Sequence, residues 1–152
     1  MAASSLAALH SRTGSIAAAL EAFPDVLDQW VQLGNDSVLA WTLQQIVVLL
    51  ARAGAEEDAA VLAGALLARA DVQPNFAVDA ERIDEALQTV RARLGEQPTA
   101  VALDAGSALT RTATLHHARQ ALAAAARAVQ ASQTPPPRSP SSASTAQQVP
   151  VR

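Results

Sequence analysis

Apolar residues recur along this chain at alternating steps of four and three, and glycine or proline closes each run. Ile16, Leu20, Phe23, Leu27 and Trp30 make one series; Leu39, Leu43, Ile46, Leu50 and Ala53 make the next. Such steps put side chains on one face of an α-helix, whereas a half-buried strand needs alternation by two. The pattern commits the chain to amphipathic helices that bury a stripe against one another. Alanine, roughly a quarter of the 152 residues, adds the strongest intrinsic helix former.

The punctuation predicts six helices. Pro24 interrupts the first run and predicts a kink or break after Ala22; Gly34 supplies the stop. Asn35, Asp36 and Ser37 are all N-cap residue types for the second helix, which Gly54 ends. The third opens with Glu56, Glu57 and Asp58, acids suited to the positive end of a helix, and runs through Leu62, Leu66 and Ala70 to Pro74. The fourth has Asp79 as its cap and Ile83, Leu87, Val90 and Leu94 as its face, with Gly95 following. A short fifth is expected to begin near Pro98, a favoured first-turn residue, and to stop before Gly106. The sixth opens near Thr110 and shows Leu115, Ala118, Leu122, Ala125 and Val129.

The fold class expected is all-α: antiparallel helical hairpins in a TPR-like or α-solenoid fragment of about six helices, over residues 1–131. Residues 132–152, Pro/Ser-rich from Gln133 onward, read as a disordered tail with too little apolar surface to offset ordering. Large side chains concentrate in 16–50, while later stripes are mostly alanine. Ala63-Gly64-Ala65 allows a second helix to approach closely. Interfaces this thin predict marginal stability in isolation, as for a repeat unit short of neighbours.

The same residues exclude several kinds of chemistry. Without cysteine there is no disulfide framework and no thiolate metal site. Without lysine there is no phosphate-loop lysine and no Schiff base. His116 and His117 are adjacent, so on a helix they diverge by about 100° and do not chelate one ion. Asp84 and Glu85 diverge likewise; Asp25 and Asp28 share a face but read as a solvated one. Gly106-Ser107 lacks the spacing and the preceding strand of a nucleophile elbow. The expectation is a protein that is not an enzyme, with no catalytic, cofactor-binding or metal-binding residue.

Charge is distributed unevenly. Residues 1–104 hold all 14 acidic residues and six arginines, a net −8; residues 105–152 hold five arginines and no acid, a net +5. The arginines Arg111, Arg119 and Arg127 are spaced too widely for a phosphate-binding patch, so no nucleic acid is expected; the preferred reading is that the two regions attract each other or that an Arg-only, Ala-rich residue usage placed the charges there. No signal peptide or membrane span is visible, which makes the cytoplasm the expected location. Trp30 and Trp41 are the candidate protein-contact residues: aromatics on helices either pack the core or line a groove for a partner.

A family resemblance sharpens this. Phe23-Pro24-Asp25-Val26-Leu27-Asp28-Gln29-Trp30, then Leu33-Gly34-Asn35, Trp41-Thr42-Leu43, Leu49-Leu50-Ala51-Arg52-Ala53-Gly54 and Ala59-Ala60-Val61-Leu62-Ala63-Gly64-Ala65 together resemble one region of a known family. It is the C-terminal TPR-like helical region of large actinobacterial ATP-binding regulators, the LuxR-type ATPase regulators and their adenylate-cyclase-linked relatives. Ser107-Ala108-Leu109-Thr110 resembles the close of that region, and the likeness covers about residues 6–125. Pro24, Gln44-Gln45 and Leu103-Asp104-Ala105-Gly106 depart from the family pattern. The resemblance implies a helical interaction or regulatory module that contacts protein, a full-length relative or a second copy of itself. It implies no catalytic residue, because the ATPase, cyclase and DNA-binding parts have no counterpart here. The alternative is a remnant of a split or truncated regulator gene, and in both readings the chain is a detached end-piece.

Overall fold

The computed structural model describes residues 15–72 and 80–137. Among these it is all-helical: α1 Ile16–Leu33, α2 Asp36–Ala53, α3 Glu56–Val72, α4 Ala80–Leu94, α5 Glu96–Ser107 and α6 Arg111–Gln133. Met1–His10, Pro74, the Asp79 cap and the tail from Arg138 lie outside the described residues.

Local signals set most boundaries. Ser15 Oγ, Asn35 Oδ1 and Thr110 Oγ1 each accept a backbone N–H three residues on, at 3.2 Å, and so open α1, α2 and α6. This satisfies donors that have no partner within the helix. Gly34 closes α1 at φ 64°, with its N–H donating to the Val31 carbonyl. A side chain at that left-handed position would be strained. Gly54 closes α2.

Two expectations about punctuation are corrected. Of the kink or break expected after Ala22, the break is absent: α1 runs through Pro24. A proline inside a helix loses one hydrogen bond and costs about 3 kcal/mol. Here Ala19, Leu20 and Phe23 on one side and Val26 and Leu27 on the other are all buried in the same core, and that shared face holds the helix together. The fifth helix, expected near Pro98, starts at Glu96; it does not stop before Gly106 but includes it. Gly106 is there for packing. A Cβ on it would overlap the Val61 carbonyl, and one on Gly64 would overlap the Leu103 carbonyl. The two glycines let α3 and α5 cross backbone against backbone, the close approach that Ala63-Gly64-Ala65 foreshadows. α6 also continues to Gln133, two residues past the expected helical boundary at 131.

α2 occupies the middle. It packs against α1, α3, α4 and α6, and it is buried well beyond one stripe: Ala40, Thr42, Gln44, Gln45, Val47, Leu49 and Ala51 join the predicted Leu39, Leu43, Ile46 and Leu50. Buried Thr42, Thr99 and Thr114 each donate a hydroxyl to the carbonyl four residues back, at 2.7–2.8 Å. They satisfy themselves locally and serve as core filler. α4 lies along α2 and α3, and its Arg93 Nη1 reaches the Ala51 carbonyl at 3.4 Å and Glu56 at 3.5 Å.

α6 returns to the start of the chain and packs on α1, α2 and α3. Arg119 donates Nε and Nη2 to Asp28 Oδ1 at 3.0 and 2.6 Å, and Gln130 donates to Glu21 at 2.9 Å. The register descends along α1 as it ascends along α6, so the two are antiparallel. Arg111 reaches Asp36 at the head of α2, at 2.6 Å. Part of the uneven charge meets in contacts between the basic last helix and acids of α1 and of the head of α2. Such exposed pairs are worth about 0–1 kcal/mol each; they select the orientation of α6, while buried Leu115, Ala118, Leu122 and Ala125 seat it.

Candidate interaction surface

The α1–α2 hairpin ends in a cap that displays apolar groups. Trp30 and Leu33 lie in the last turn of α1, and Trp41 lies about two turns into α2 on the other side of Gly34. Trp30 is half-buried against the core. With Gln29, Gln32 and Leu33 it lines a shallow groove of about 380 Å³. Its indole N–H is buried and has no acceptor among the described residues. Leu33 is 70% exposed and Trp41 41%. Trp41 is not among the residues lining the Trp30 groove, so the structure puts both tryptophans at one end of a hairpin without joining them in one cleft. Leu33, which stands out in the sequence only within Leu33-Gly34-Asn35, is the most exposed large apolar side chain of the three.

A second, larger groove of about 470 Å³ opens where four helix ends meet. Leu39, Ala40 and Leu43 from α2 and Ala65 and Ala68 from α3 line it, with Ser107 at the end of α5 and Leu109 in the connection to α6. Asp36, Arg69 and Arg111 are its charged residues. The sequence gives no local sign of this groove, because its charged residues come from positions far apart in the chain. Between α2 and α4 a third groove of about 310 Å³ is lined by Gln45, Val48, Arg52, Arg82, Glu85 and Thr89, among others. Gln45 is only 4% exposed, and its amide nitrogen has no partner among the described residues.

The other residues singled out by sequence sit apart. His116 is exposed and His117 half-buried. His117 Nε2 is 3.0 Å from Asp58 Oδ1 but not aligned for a hydrogen bond. Asp25, Asp84 and Glu85 are exposed, and Ser107 donates to the Asp104 carbonyl at 2.7 Å as part of the α5 terminus. Among the described residues no three His, Asp or Glu side chains come within reach of one metal ion, and no helix is long and apolar enough to cross a membrane. No family model, no curated protein and no solved structure matches the chain.

Proposed function

We propose that this chain is a non-enzymatic helical module that binds another protein through the α1–α2 hairpin end. One observation carries the reading: Leu33 and Trp41, two large apolar side chains, face solvent within about two turns of the same hairpin turn. Isolated exposed leucines are ordinary, but tryptophan is enriched where proteins bury surface against each other. The resemblance to the TPR-like region of ATP-binding LuxR-type and cyclase-linked regulators supports the same reading. It makes the helical hairpins of the fold members of a TPR-like array, and makes a full-length relative in the cytoplasm the first partner to seek.

The test is affinity capture from cells with the full chain, the Trp41→Ala chain and the Leu33→Ser chain. A partner held by the parent chain is expected to be lost from Trp41→Ala and depleted from Leu33→Ser, while far-UV circular dichroism stays the same. Equal capture by all three chains removes the hairpin end from consideration, and no specific capture by any of them ends the interaction reading.

A further inference from the structure

We infer that the groove between the heads of α2 and α6 and the last turns of α3 and α5 is a binding site for a carboxylate carried on an apolar body. The volume of about 470 Å³ lies in the range of small-molecule sites, ~300–1,000 Å³. Its floor is apolar, with Leu39, Leu43 and Ala65 each buried. Two guanidiniums share this apolar space. Arg111 is matched by Asp36 at 2.6 Å. Arg69 is half-buried and has no carboxylate or hydrogen-bond partner among the described residues. The groove therefore carries a net positive charge over an apolar floor.

α6 has no acid in its first turn and begins with Arg111 itself, so its positive end faces the groove, opposite the negative ends of α3 and α5, and the net sign is left to the side chains. A cation with no partner among the described residues that has lost part of its hydration is unfavourable, and a carboxylate at that point offsets the loss with a charge-assisted hydrogen bond. The apolar body of the same ligand would cover the Leu39–Leu43 floor. The required chemistry is an apolar chain or side group ending in one carboxylate. A free acyl acid supplies it, and so does the C-terminus of a peptide ending in an apolar residue. Arg69 also suits the negative end of α3, and the experiment separates that structural role from binding.

The full chain, labelled with nitrogen-15, is titrated with sodium octanoate, N-acetyl-leucine and n-octanol, and backbone amide shifts are followed. Saturable shifts at Leu39, Leu43, Ser107 and Leu109 are expected with the two acids and not with octanol. The tighter acid identifies the source as free acyl acid or chain end. Arg69→Gln is expected to weaken binding by about tenfold to a hundredfold, the worth of a hydrogen bond to a charged group. Ala68→Leu, which fills the groove with a good helix former, is expected to abolish it. Both variants are checked for unchanged helicity by circular dichroism. The proposal is overturned if octanol binds as well as octanoate, if the shifts centre on Trp30 and Leu33, or if Ala68→Leu leaves binding in place. It is equally overturned if Arg69→Gln lowers the melting temperature but leaves the affinity unchanged, since Arg69 then serves only the end of α3. Partner capture through Trp41 is a separate readout, so either idea can fail while the other stands.

Discussion

The α1–α2 hairpin and the α3–α5 crossing are both helix pairs, yet their buried residues differ in kind. α1 and α2 contribute Leu20, Phe23, Leu27, Ile46, Leu49 and Leu50, all fully or almost fully buried. The crossing sets Gly64 against the Leu103 backbone and Gly106 against the Val61 backbone, beside buried Ala60, Ala63 and Ala102. The hairpin gains stability from the apolar area it removes from water, about 25 cal/mol per Å². Alanine and glycine bring little such area, so the crossing depends on close fit and the many small dispersion contacts that fit permits. The hairpin should be sensitive to losing volume, and the crossing to gaining it.

Opposite substitutions test that contrast. Leu50→Ala in the hairpin core should destabilise by about 2–5 kcal/mol, the usual range for emptying a buried leucine site, as read by urea unfolding. A much smaller loss would mean the hairpin core collapses around the cavity. Gly106→Ala should destabilise by about 1–3 kcal/mol through overpacking. Its sign is the sharper result, because the same change in an exposed helix interior stabilises by about 1 kcal/mol. A stabilised Gly106→Ala chain would show that α3 and α5 are not in backbone contact. Arg119→Ala, which removes the exposed pair with Asp28, should change stability by less than about 1 kcal/mol. A larger effect would mean α6 is held by charge rather than by Leu115, Ala118 and Leu122.

The contrast also explains what could be read in advance. Helix positions were legible wherever a stripe coincided with a cap, as at Asn35, Gly54 and Thr110, because both signals are local. The full burial of α2 was not: Thr42, Gln44 and Gln45 look like an outer face, and only the arrival of α4 and α6 encloses them. Gly106 reads in the sequence only as a helix stop, and its role as a point of close approach emerges only with its partner across the crossing, Val61. Pro24 misled because its local penalty is visible in sequence while the core that outweighs it is not. At the candidate sites Trp30 and Trp41 stand out by residue type alone. The Asp36, Arg69 and Arg111 groove has no such marker, since three helix ends must first be brought together.

The seating of α6 on α1 also sets a schedule for folding. Asp28 and Arg119 are separated by 91 positions, and Glu21 and Gln130 by 109. Closing loops of that length is slow, and contacts of this range form late relative to local hairpins. During synthesis α1 and α2 emerge first and can pair at once, but the flank of α1 that receives α6 stays uncovered until residues 111–133 have left the ribosome. Throughout that interval the nascent chain presents an incomplete α1 surface, which is the stage at which a chaperone or a second nascent copy would compete with its own last helix.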